Sequence, residues 1–136
     1  LIILCLLASS YLSAGFHVKH DDVEMVVVIP SYNNEPYVEE NLKSLFTQEY
    51  PKWQLIYIND ASTDKTGAEA ERLIYKYKMQ KKCVILHNKE RQGAMANLYH
   101  AIHAISPHKV VVQLDGDDML KNKNTLSRVA KAYRNK

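Results

Sequence analysis

Glycine is missing from the places where a phosphate-cradling backbone would need it. The chain holds only Gly15, Gly67, Gly93 and Gly116. Neither the glycine-rich first turn of a dinucleotide fold nor a glycine loop ending in Lys and Ser or Thr is therefore present. Cysteine is as scarce, and Cys5 and Cys83 have no metal-ligand spacing and define no disulfide framework. The six histidines are scattered without a zinc-recruiting interval. Charge of one sign is lacking too. The net charge is +3, and the excess lies in Lys121, Lys123, Arg128, Lys131, Arg134 and Lys136, after the last acid. That segment reads as a solvated helix face, and no nucleic-acid partner is assigned to it.

At 136 residues the chain has length for one domain with a sizeable core and too little for two. There are no internal repeats and no low-complexity linkers. Residues 1–16 are free of charge, but they are shorter than the roughly 20 apolar residues that span a bilayer. Together with the cluster at 17–22 they are expected to be a signal peptide or a truncated signal anchor, with a buried core helix as the third reading. The expected localisation is membrane-associated or exported through this segment, the cytoplasmic face included.

From Met25 the pattern alternates. β-branched runs at Met25 to Ile29, Trp53 to Ile58, Val84 to Leu86 and Lys109 to Leu114 predict strands. Between and after them, helical spacing predicts four helices. The first carries Val38, Leu42, Leu45 and Phe46, with Asn34 and Pro36 as start signals. The second runs from about Asp64 to Met79 with Ala70, Leu73, Ile74 and Tyr77 on one face. The third follows Gly93 with Met95, Leu98, Tyr99 and Ile102, and the fourth begins near Thr125 with Leu126, Val129, Ala130 and Tyr133. Strict alternation implies a three-layer α/β/α fold with a mostly parallel sheet, in which right-handed crossovers bring every strand C-terminus to one edge.

Two acidic strand ends converge on that edge. One is Asn59-Asp60-Ala61-Ser62-Thr63-Asp64, the other Asp115-Gly116-Asp117-Asp118. Three carboxylates in four residues repel unless water or a cation separates them, and hard oxygen ligands favour Mg or Mn. The bland reading is an acidic turn. The first turn, Pro30-Ser31-Tyr32-Asn33-Asn34-Glu35-Pro36, has no glycine, so a diphosphate there needs neutralising by a cation held at Asp117 and Asp118. Tyr32 offers a flat face for a base, Asp60 an acceptor for an imide N–H, and Arg91 a donor for a phosphate or base carbonyl. Their ordinary alternatives are a sheet cap, a helix N-cap shared with Ser62, and a surface arginine.

Four blocks carry a specific resemblance: Val27-Val28-Ile29-Pro30-Ser31-Tyr32-Asn33; Asn59 to Asp64; Asn88 with Arg91-Gln92-Gly93-Ala94-Met95-Ala96-Asn97; and Leu114 to Asp118. Over roughly residues 24 to 120 the chain resembles the nucleotide-binding half of family 2 glycosyltransferases with the GT-A fold. The resemblance implies a nucleotide-diphosphate sugar donor, with UDP ahead of GDP, a divalent Mn or Mg ion, and transfer with inversion. Carried over by position, Pro30, Tyr32 and Asp60 match base-binding residues. Asp117 matches the residue near ribose and metal, Asp118 the principal metal ligand with Asp115 in support, and Arg91 is a looser match. Asn59 departs from the first Asp of a pair that many members carry.

The acceptor, whether sugar, lipid or protein, is not indicated. The general base is expected beyond Lys136, so residues 23–136 are expected to be a truncated donor half that does not turn over alone. The alternatives are a non-catalytic sugar-nucleotide or glycan binder, and a Mg-dependent phosphoaspartyl domain.

Overall fold

The computed structural model describes residues 23–134. Residues 1–22, with the expected signal peptide or anchor, and residues 135–136 lie outside the described residues. The elements alternate as β1 (Met25–Ser31), α1 (Val38–Phe46), β2 (Trp53–Asn59), α2 (Thr66–Lys76), β3 (Cys83–His87), α3 (Ala94–Ala104), β4 (Val110–Gln113) and α4 (Thr125–Arg134). All pairings are parallel, in the order β3-β2-β1-β4. β1 is one of the two inner strands and is buried at every position, as its unbroken apolar run requires.

The two faces of the sheet are covered unequally. Met25, Val27 and Ile29 pack with Val38, Leu42, Leu45, Leu73, Ile74, Leu126 and Ala130, so α1, α2 and α4 share one face. Val26, Val28 and Ile58 meet Leu98 and Ala101 of α3 on the other. This is the expected three-layer arrangement. The thinner layer leaves an apolar groove of about 310 Å³ bordered by Val26, Ile56, Val84 and Ile105, at the N-terminal end of the strands and away from the acidic turn. Among the described residues no helix is long and apolar enough to cross a membrane.

Two local expectations and one of the ordinary alternatives are corrected. Of the four apolar residues assigned to the inner face of α3, only Leu98 is buried; Met95, Tyr99 and Ile102 are exposed. The helix is turned so that Asn97 points inward, where its carboxamide oxygen accepts a 2.8 Å bond from Asn88 Nδ2. Helix α1 starts without a side-chain cap, and Asn34 instead donates to Ser31 Oγ. Asp60 does not cap α2. Asp64 serves that end, accepting from the Thr66 amide at 2.9 Å and from its hydroxyl.

Ala61 has φ 57°, in the left-handed region that costs a residue with a Cβ about 1 kcal/mol. Ala61→Gly is therefore expected to raise stability by about 0.5–1 kcal/mol in urea denaturation. A loss of stability would show that the added freedom of the unfolded chain outweighs the relieved strain.

Candidate functional site

The site grows from the ends of β1, β2 and β4, at the point where the order of connection reverses: β2 lies on one side of β1 and β4 on the other. A crevice opens at such a switch point. Pro30 sits there because it can. The β1–β4 ladder ends at Val28↔Gln113, so the missing N–H of Pro30 interrupts no bond on that side.

The loops after β1 and β2 are laced together. Asn33 N donates to Ser62 Oγ (3.1 Å), Thr63 N to Asn33 Oδ1 (2.8 Å), Asn34 N to Thr66 Oγ1 (2.8 Å), Glu35 N to Asp64 Oδ2 (3.1 Å) and Lys65 N to Glu35 Oε2 (3.0 Å). Each of these bonds pairs a backbone amide with a side-chain oxygen, so the loops are fixed without glycine. Burial alone raises the Asp64 carboxyl, but the bonds from Thr66 and Glu35 outweigh it and hold the group below the usual range.

Asp60 is 3% exposed and anchors the loop after β3. Its Oδ1 accepts from Asn88 Nδ2 (2.7 Å) and Gln92 N (2.8 Å), and its Oδ2 from Gly93 N (2.8 Å). Burial again raises the carboxyl; the Gln92, Asn88 and Gly93 donors, with the Asn97 carboxamide alongside, overcome this and leave it lowered. The carboxylate is thus charged and held by two donors on Oδ1 and one on Oδ2. Its neighbour Asn59 points to the other face of the strand, as alternation requires. There Nδ2 meets His87 Nδ1 at 3.1 Å, and His87 Nε2 meets Glu71 at 2.8 Å.

Arg91 is exposed on the loop that Asp60 holds, with its guanidinium carbon 4.0 Å from the centroid of the half-buried Tyr32 ring. A cation over an aromatic face is favourable. In this state the face read from sequence as a base platform carries Arg91.

The acidic turn docks against the β1 loop through Gly116. A Cβ at Gly116 would lie 2.5 Å from Ser31 Oγ and 2.9 Å from Ser31 Cβ, so glycine is required there for space. Gly93 is the opposite case, with φ 86° and nothing within 4 Å, and is required for its backbone angle. Asp115, Asp117 and Asp118 are all exposed, and only Asp115 is engaged through its side chain, accepting from Gln113 Nε2 at 3.0 Å.

No three His, Cys, Asp or Glu side chains among the described residues form a set able to enclose a metal. Free hard-oxygen donors on an exposed turn still fit Mn or Mg, which bind through one or two carboxylates and complete their shell with water and substrate phosphates. Cys83 is no competing nucleophile: free and half-buried, its thiol is pushed up to about 12 by burial.

Sequence reasoning missed Asn41, Asn88 and Asn97. Asn88 and Asn97 lay inside a recognised block without a role. Asn41 carried no signal, because a polar residue within a helix reads as its wet side.

The architecture is that of GT-A nucleotide-binding domains. It superposes on the mannosyltransferase PcManGT from Pyrobaculum calidifontis in complex with GDP-Man and Mn2+ with a TM-score of 0.69 and 25% identity, over 98% of this chain and 39% of that one. With Staphylococcus aureus TarS 1–349 in complex with UDP the TM-score is 0.66 at 28% identity, over 80% and 31% of the two chains. The chain belongs to glycosyl transferase family 2, whose model matches residues 26–136.

Among its relatives are an uncharacterized glycosyltransferase of Haemophilus influenzae, 33% identical over 70% of this chain and 28% of its own length, and the putative teichuronic acid biosynthesis glycosyltransferase TuaG of Bacillus subtilis, 30% identical over 70% and 36%. The chain spans about a third of the length of these relatives. Family membership speaks against the phosphoaspartyl alternative.

Proposed function

We propose that this chain forms the donor site of an enzyme transferring a sugar from a nucleotide-diphosphate sugar, UDP- ahead of GDP-, to a sugar, lipid or protein acceptor with inversion. The observation that carries this reading is the meeting of three parts at one switch point: Tyr32 beside Arg91, the loop pinned by Asp60, and the exposed acidic turn seated on Ser31. Complexes of similar proteins with UDP, UDP-GlcNAc and GDP-Man with Mn2+ support it.

In this reading the Asp60 carboxylate accepts the imide N–H of the base, which uracil and guanine both offer. Tyr32 stacks on the base once Arg91 leaves its face, and Arg91 then meets a phosphate or base carbonyl. Asp117 and Asp118, with Asp115 in support, hold Mn or Mg, which supplies the positive charge that stabilises a departing diphosphate. Membrane association through residues 1–16 belongs to the same proposal.

The test is calorimetric titration of UDP into the full chain with Mn2+ and again with EDTA. Affinity is expected to be at least about tenfold higher with the metal, equivalent to ~1.4 kcal/mol. Equal affinity in both buffers, or no binding of UDP or GDP by the folded chain, would overturn the donor-site reading.

A further inference from the structure

Helix α1 has two faces with separate tasks. Val38, Leu42, Leu45 and Phe46 pack on the sheet. Asn41 and Ser44 on another stripe, and Gln48 just past the helix end, all bond to the segment that carries the acidic turn. Asn41 Nδ2 donates to Asp115 O at 2.9 Å and to Asp118 O at 2.7 Å. Ser44 Oγ accepts from Leu120 N at 3.0 Å. Gln48 donates to Asn122 O at 2.7 Å and accepts from Leu126 N at 3.0 Å.

The orientation of the Asn41 carboxamide is forced. Both of its partners are carbonyl oxygens, so only the NH₂ side can face them. Its own oxygen is left buried without a partner, in a residue 1% exposed. Nothing about helix α1 alone calls for a buried amide here; the two carbonyls of the turn do. The turn also closes on itself through Asp118 N donating to Asp115 O at 3.1 Å, so Asn41 grips both ends of a four-residue loop. The grip is on backbone only. The Asp117 and Asp118 carboxylates accept no hydrogen bond from the described residues, and stay available.

We propose that Asn41, supported by Ser44, is a positioning residue for the acidic turn, holding its backbone so that mutually repelling carboxylates stay at the spacing a divalent cation and a diphosphate require. The inference rests on the donor-site reading. Without the clasp, repulsion among the three acids spreads the turn, and the loss falls on metal-dependent binding alone.

Asn41→Leu keeps the bulk and removes both donors. In the full chain, affinity for UDP with Mn2+ is expected to fall roughly 10- to 100-fold. Affinity in EDTA should stay unchanged, and the amides of Asp118 and Leu120 should exchange with solvent faster while those of Val27 and Tyr57 keep their protection. If Asn41→Leu does not fold, Ser44→Ala is read in the same way, with a smaller loss. Wild-type protein binding UDP with Mn2+, and a folded variant matching it within twofold with unchanged turn amides, would overturn the positioning role. Wild-type protein that fails to bind would overturn the donor reading, and this inference with it.

Discussion

Gly116→Ala is expected to cost about 2 kcal/mol of stability, in the range for overpacking a tight contact, and to remove the metal-dependent part of nucleotide binding. The reason is geometric. The new methyl group would meet Ser31 Cβ at 2.9 Å, and Ser31 is the buried last residue of β1, held at its neighbour's side through Asp60 N donating to Ser31 O. An atom bonded directly to a fixed strand backbone cannot swing aside as the end of a long side chain can. The acidic turn must therefore lift, and the carboxylates of Asp117 and Asp118 lift with it. Urea denaturation measures the first effect and UDP titration with and without Mn2+ the second. A variant of wild-type stability and metal response would mean that the turn is not seated on Ser31 in solution.

Asp60→Asn is expected to destabilise by about 2–4 kcal/mol, although it changes the shape of the side chain hardly at all. A carboxamide has one acceptor end. Placed toward Asn88 Nδ2 and Gln92 N, it turns its NH₂ on Gly93 N; reversed, it opposes the other two donors. Either way a buried N–H loses its partner. The same residue makes stability depend on pH. Because its folded pKa is depressed, its contribution is present above the unfolded value near 4 and is lost as pH falls through the lower folded value. Asp64 acts in the same sense. The gap between wild type and Asp60→Asn should thus be full at pH 7 and shrink below about pH 4, as the wild-type carboxylate takes up a proton. Thermal denaturation followed across that range decides it; a gap independent of pH would mean that charge plays no part in holding the loop.

The two predictions mark where the sequence was legible and where it was not. Strands and helices were readable because β-branched runs and apolar spacing report burial directly, and every predicted element stands within a few residues of its place. The face of α3 was misread because apolar periodicity cannot see a buried polar pair: the bond between Asn88 and Asn97 turns the helix and leaves Met95 and Tyr99 outside. Asp60 was noticed as an acid at a strand end, yet its anchoring of Gln92 and Gly93 depends on a loop more than thirty residues away. Asn41 was invisible for the same reason, since its partners lie 74 and 77 residues on. Residue type and local spacing predict elements. Polar side chains that bond across the fold are known only when the fold is.

The strand order carries a kinetic consequence. Pairing β1 with β2 closes a short stretch of chain through one helix, whereas pairing β1 with β4 must wait for every intervening crossover to settle. Contacts far apart in sequence bear the greater loop-closure entropy and form late. Trp53, the only tryptophan, is buried at the β1–β2 pair and reports the early event. The acidic turn reaches Ser31 only with the late one, so in a refolding chain the seating of that turn, and the burial of Leu126 and Ala130 that follows it in the chain, come after Trp53 is enclosed.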